Sequence, residues 1–367
     1  MTKILPNNLK RQHDIYAEEY NKKAVEVLNS GWYVLGNEVK TFEEEFAKYI
    51  GNKYCVGLAS GLDALEIAFR LIGIKEGDEV LVCSNAYIAC VMGITKNGGI
   101  PVFVEPDGYD NIDADKIVEK ITEKTKAILA VHLYGQSCDM DKIMSIASKH
   151  NLKVVEDCAQ AHGTKWKGKN AGTFGDIACW SFYPTKNLGA FGDGGAITTD
   201  NEQYYLDSKM IRNYGSRVHY ENEVVGMNSR LDELQAGLLR VKLSHLDELN
   251  NERCLVAERY NKEIKNDLIR PLSTRPGSNN VWHQYVIHVP GHRDELIEYL
   301  NKNEIGSIIH YPIPPHLSKA YAYLNHKKGD FPIAEKYASE VLSIPMYNGI
   351  TEEEQIRVIE ALNNFKV

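Results

Sequence analysis

At 367 residues the chain is too long for one small domain and long enough to bury two sizeable cores. Its 43% hydrophobic and 25% charged content matches a soluble globular protein. A formal net charge of −8 without a basic cluster argues against nucleic acid and anionic membrane surfaces as partners, while a local anion site stays open.

The first residues, Met1-Thr2-Lys3-Ile4-Leu5-Pro6, lack the apolar centre of a signal peptide. No apolar run approaches the roughly 18 residues of a membrane helix. The seven cysteines form no CxxC pair, and Cys55, Cys83 and Cys179 lie in apolar runs. They are expected reduced and buried in a cytoplasmic protein, with no metal site.

Short apolar runs predict strands at Lys53–Ser60, Asp78–Ser84, Ile100–Pro106, Thr125–Gly135, Leu152–Asp157, Asp176–Tyr183 and Gly194–Asp200. Most are continuously apolar, as a sheet covered on both faces requires. Helices fall between them, such as Leu62–Ile72, where Leu62, Leu65, Phe69 and Ile72 repeat at three and four residues. Strand–helix alternation predicts an α/β fold with a mostly parallel seven-stranded sheet. A long helical region follows at Leu231–Ile264, and beyond the turn-rich Arg270–Asn280 the pattern changes to a smaller α+β unit ending in helix Glu352–Phe365. The domains are read as 1–250, large and with an N-terminal arm, and 251–367, small.

In such sheets ligands bind beyond the carboxyl ends of the strands, and four motifs fall there. In Ser60-Gly61-Leu62 a strand gives way to a helix, leaving N–H groups free for a phosphate; an ordinary capped turn with Ser60 as the cap is the alternative. Tyr87, just past the second strand, is placed to lie against a flat cofactor or simply to pack. Glu156-Asp157 ends an apolar strand, where a carboxylate needs a cation or hydrogen-bond donor; a nearby lysine or arginine would serve equally. Finally Ser181-Phe182-Tyr183-Pro184-Thr185-Lys186 runs into the loop Gly192-Asp193-Gly194-Gly195. A lysine in a partly dry cleft sheds its proton and attacks a carbonyl. With Asp157 for a pyridinium nitrogen and Gln160 within reach of a phenolic oxygen, the set suggests pyridoxal phosphate (PLP). The glycine loop leads into a strand, the wrong way round for a dinucleotide fingerprint.

The combination of Ser60-Gly61-Leu62-Asp63-Ala64-Leu65, Glu156-Asp157-Cys158-Ala159-Gln160-Ala161-His162-Gly163 and Ser181-Phe182 through Lys186-Asn187-Leu188-Gly189 closely resembles the DegT/StrS-type nucleotide-sugar aminotransferases, which are fold-type-I PLP enzymes. The resemblance starts at Gly31-Trp32, Gly36 and Phe42-Glu43, continues through Gly226-Met227-Asn228-Ser229-Arg230-Leu231, and reaches His310-Tyr311-Pro312. It implies Lys186 as the Schiff-base lysine, Asp157 on the pyridinium and Gln160 on the ring hydroxyl. Tyr87 becomes the stacking aromatic. The backbone at Gly61 and Leu62, with the Ser181 hydroxyl, becomes the phosphate cradle. Asn228 matches a residue that reaches the phosphate of the neighbouring subunit in a homodimer; a helix cap before Leu231 is the alternative.

Some relatives carry histidine at the lysine position and act as sugar dehydratases; lysine here implies transamination, with L-glutamate as amino donor and the pyridoxamine form of the cofactor between halves. The loop His310-Tyr311-Pro312-Ile313-Pro314-Pro315-His316 resembles that of members aminating C3 of a dTDP-linked 6-deoxyhexose, as in lipopolysaccharide or S-layer glycans. A C4 aminotransferase and a non-catalytic sugar-nucleotide sensor are the alternatives. Tyr183, Tyr214, His310 and Tyr311 are candidate sugar contacts, and Arg212 and Arg217 candidate partners of the diphosphate, with plain surface arginines as the alternative.

Overall fold

The computed structural model describes residues 2–367. All seven predicted strands form and lie in one sheet: β1 (Tyr54–Leu58), β2 (Glu79–Cys83), β3 (Ile100–Val104), β4 (Thr125–Val131), β5 (Lys153–Asp157), β6 (Ile177–Ser181) and β7 (Gly195–Thr199). Their order across the sheet is β1-β7-β6-β5-β4-β2-β3. The pairs β2–β3, β2–β4, β4–β5 and β5–β6 are parallel. Only β7 runs backwards, antiparallel to both β6 and β1.

The continuous apolar character of the strands is explained by helices on both faces. On one face, helices Gly61–Leu71 and Ile88–Thr95 close a core of Leu65, Phe69, Val80, Val82, Val91 and Ile94. On the other, helix Asn37–Ile50 buries Val39, Phe42, Phe46 and Ile50, spaced at three and four residues, against Trp180 and Phe182. The rings of Phe46 and Trp180 meet edge-to-face with centroids 5.1 Å apart. Each such side chain, fully buried, stabilises the fold by about 1.5–3 kcal/mol.

The long helical region predicted at Leu231–Ile264 is two helices, Glu233–Ser244 and Leu246–Glu263. The break is at His245, whose backbone leaves the helical region and whose ring stacks on Tyr16 at 3.8 Å. The last helix, Glu352–Asn364, starts with a Thr351–Glu354 capping box. A second apolar cluster gathers Tyr260, Tyr285, Ile287, Leu342, Ile344, Val358 and Leu362 around the small sheet Arg270–Pro271, Tyr285–His288 and Val341–Ile344. Ile4 joins this cluster, and the Ile4 amide donates to the Glu304 carbonyl at 2.8 Å. Among the described residues no helix is long and apolar enough to cross a membrane. All seven cysteines are free and six are buried.

Candidate active site

The carboxyl ends of β4, β5 and β6 open on a cleft of about 440 Å³. Ten of the predicted site residues line it: Gly61, Leu62, Tyr87, Asp157, Gln160, Ser181, Tyr183, Lys186, His310 and Tyr311. They arrive from five separate stretches of chain, and the sheet brings them together.

The cradle at Ser60-Gly61 follows from strand register. Gly195 pairs with Leu58 on one side and Ser181 on the other, so the first turn of helix Gly61–Leu71 is pressed against both strands. A Cβ on Gly195 would lie 2.3 Å from the Ser60 carbonyl, and one on Gly61 would lie 2.7 Å from the Ser181 Cβ. Only glycine allows this approach. Ser60 Oγ caps the helix by accepting from the Asp63 amide at 3.1 Å. Ser181 Oγ accepts from the Tyr183 amide at 3.3 Å, leaving its own proton to give. Ser229 is fully buried behind the cradle, donating to Asp63 Oδ2 at 2.7 Å.

Two adjacent carboxylates end β5 and face opposite sides of the sheet. Asp157 faces the cleft. It accepts from the Cys90 thiol and the Ala159 amide, each at 3.0 Å. Burial and the aspartate keep that thiol well above its ordinary pKa, hence protonated and a donor. An ionised carboxylate offers about four acceptor positions, so Asp157 retains capacity toward the cleft. Gln160 Oε1 accepts from the Tyr134 amide at 2.7 Å, and its Nε2 donates to the Tyr311 hydroxyl at 3.1 Å.

Glu156 pairs with neither lysine nor arginine. It accepts from the amides of Gly172 and Phe174 at 2.8 Å, of Gly175 at 2.7 Å, and from His132 Nε2 at 3.0 Å. Burial pushes its pKa up, but His132 and the amides outweigh that and hold it below the ordinary carboxylate value. One group of three potential metal ligands lies here among the described residues, His132, Glu156 and Cys158. Four donors on Glu156 and the Cys138 amide on His132 Nδ1 at 3.1 Å already occupy the acceptor positions of those two groups.

Lys186 is partly buried in the cleft wall. Burial pushes its ammonium down to about 8, against the opposing pull of Asp157 and Cys90. The same cation, after burial, lowers His310 to about 4. His310 Nδ1 meets Ser343 Oγ at 2.9 Å, and the Tyr311 ring packs on Tyr87 with centroids 4.8 Å apart.

Four predicted residues stand elsewhere. Arg212 is buried with its guanidinium on Glu43 and on the Gly57 carbonyl at 2.8 Å; held there and absent from the lining of the cleft, it is not placed to meet a diphosphate, which corrects its assignment. It borders a larger hollow of about 770 Å³ behind β1, which contains none of the other predicted groups. Arg217 is exposed and pairs with Asp207 at 2.7 Å and Glu223 at 3.2 Å. Tyr214 and Asn228 are exposed and outside this chain's cleft, and the guanidinium of Arg230 lies 5.4 Å over the Tyr214 ring. Asn228 is not a helix cap, because Asp232 occupies that position. Conversely, Cys90, His283 and Gln284 line the cleft unmarked by any motif.

The donor set suits PLP: a lysine with a depressed pKa, a carboxylate with spare acceptor capacity, and a cradle that a Cβ would fill.

A family model described as the DegT/DnrJ/EryC1/StrS aminotransferase family matches residues 14–363. A protein of Aneurinibacillus thermoaerophilus named dTDP-3-amino-3,6-dideoxy-alpha-D-galactopyranose transaminase is 51% identical over 351 residues, 95% of this chain and 96% of its own. A dTDP-3-amino-3,4,6-trideoxy-alpha-D-glucose transaminase of Streptomyces venezuelae is 41% identical, covering 98% of this chain and 95% of its own. The crystal structure of S. venezuelae DesV in complex with a ketimine intermediate superposes with a TM-score of 0.96 at 41% identity, over 99% of this chain and 98% of that one.

Proposed function

Because the chain belongs to the DegT/DnrJ/EryC1/StrS aminotransferase family of PLP-dependent sugar aminotransferases, we propose that it moves the amino group of L-glutamate to C3 of a dTDP-linked 3-keto-6-deoxyhexose, giving a 3-amino-3,6-dideoxyhexose. The observation that carries the site assignment is Lys186, an amine held near neutrality in the cleft that Asp157 also faces. The relatives whose names specify a 3-amino sugar support the position of amination and the nucleotide.

PLP, when bound, supplies an electron sink and carries the amino group between the two substrates. Asp157 holds a proton on its ring nitrogen, using the acceptor positions that Cys90 and Ala159 leave free. Gln160 orients the ring hydroxyl and Tyr87 covers one face. The Gly61 and Leu62 amides and the Ser181 hydroxyl hold the phosphate at the positive end of helix Gly61–Leu71. Lys186 anchors the cofactor and, once released, takes the α-proton of glutamate. In the second half it delivers a proton to the sugar carbon from one face. Tyr183, His310 and Tyr311 border the hexose. Asn228, exposed in this chain, completes the phosphate site of a second copy in a homodimer, so a monomer is inactive.

Product analysis tests this. The protein, loaded with PLP and given glutamate, is mixed separately with dTDP-linked 3-keto and 4-keto 6-deoxyhexoses, and products are read by mass and NMR. An amine at C3 alone is expected; an amine at C4 overturns the regiochemistry and leaves the site assignment standing.

A further inference from the structure

Directly behind Lys186 lies a buried chain of amides. Asn187 Nδ2 donates to Asn250 Oδ1 at 2.8 Å and to the Val281 carbonyl at 2.9 Å. Asn250 Nδ2 donates in turn to the His162 carbonyl at 2.8 Å. A backbone carbonyl only accepts, so each amide has a single permitted orientation. The atom of Asn187 that meets His283 Nδ1, at 3.2 Å, is therefore the acceptor Oδ1. His283 carries its proton on Nδ1, which leaves Nε2 a bare acceptor.

Among the described residues no group donates to that nitrogen, and His283 lines the cleft together with Lys186 and His310. Burial, and then the Lys186 ammonium, hold the ring well below its ordinary pKa, so it stays neutral through the physiological range. Whatever displaces water from that nitrogen in the cleft must bring a donor of its own, or leave the acceptor unpaired. An acceptor-only nitrogen repels carboxylate oxygens and attracts hydroxyl protons. Glutamate brings two carboxylates, and its one amino group is the atom under transfer. The hexose brings hydroxyls.

We propose that His283 is a specificity-determining residue of the sugar half of the reaction, its Nε2 accepting a hydrogen bond from a hydroxyl of the bound hexose. The proposal rests on the reading that the chain aminates a nucleotide-linked keto sugar. It divides the cleft by role: Lys186 serves both halves of the reaction, His283 only the sugar half.

Two variants separate this role from a structural one. His283→Asn keeps an N–H toward Asn187 but lacks the acceptor, while His283→Gln places an amide oxygen near the Nε2 position. The glutamate half is followed in the PLP-loaded enzyme by loss of the cofactor absorbance band, and the sugar half by its return. Cofactor-free protein is titrated calorimetrically with dTDP-3-amino-3,6-dideoxyhexose and with dTDP alone. We expect His283→Asn to slow the sugar half and weaken amino-sugar binding about 10- to 100-fold. The glutamate half and dTDP binding should stay within about twofold, and His283→Gln should recover most of the loss. Equal slowing of both halves, or of neither, overturns the proposal. A wild-type protein whose band glutamate does not bleach overturns the aminotransferase reading instead, so the two failures are distinguishable.

Discussion

Glu156 and Asp157 are neighbours in sequence, both carboxylic acids and both buried, yet they work in opposite ways. Behind the sheet, Glu156 is saturated by three backbone amides and His132. In front, Asp157 has a thiol and one amide and still has room. The back of the sheet is finished structure; the front is left open for a ligand. Unspent hydrogen-bonding capacity, rather than burial or charge, separates a functional carboxylate from a structural one.

Substitutions on the two sides sharpen that contrast. The largest effect is expected from Lys186→Ala, with turnover falling roughly 10⁴-fold or more while PLP still binds, seen as non-covalent cofactor released on denaturation. Repeated turnover by that variant would break the assignment of the front side. Asp157→Asn should cost roughly 10²–10⁴-fold in kcat with a Tm close to wild type, since little structure depends on it. Glu156→Gln should do the reverse. It presents an amide N–H₂ to backbone donors and should lose about 3 kcal/mol of stability in denaturant titrations, with kcat per folded molecule unchanged.

That difference has a pH signature. Because the folded pKa of Glu156 lies below the ordinary 4.5, its stabilisation is fully present above that value and is lost as pH falls through the folded pKa. The gap in stability between wild type and Glu156→Gln should therefore close only in acid below pH 4.5, as followed by circular dichroism. The smallest effect is expected from Gly195→Ala. The new Cβ would push on the Ser60 carbonyl and loosen the cradle. About 1.4 kcal/mol, or tenfold weaker PLP binding by fluorescence titration, is the expected scale.

The strands were legible because both faces are covered, which writes a continuous apolar run into each one. Their order was not, since nothing in Gly195–Thr199 says that it runs backwards between β6 and β1. Asp157, Gln160, Ser181 and Lys186 were readable because each sits at a strand end or just beyond, where this architecture collects ligands. Arg212, at the end of a helix, was misplaced because sequence gives its chemistry but not its partner Glu43, 169 residues away. His283 carries no local signal at all. It enters the cleft from the bend just before strand Tyr285–His288, and its tautomer is set by Asn187, 96 residues earlier. The break at His245 escaped because the apolar spacing runs on across it.

Strand β1 lies at the edge of the sheet and reaches it only through β7. The helix that follows β1 supplies the phosphate cradle, so the cradle is held in place by a pairing between residues about 140 positions apart in sequence. Such a pairing closes a long loop, and it must offset the entropy of that closure. A chain in which β1 is unpaired keeps its lysine-bearing loop but has no place for the anion. PLP, by binding only the paired form, acts as a latch on the edge of the sheet.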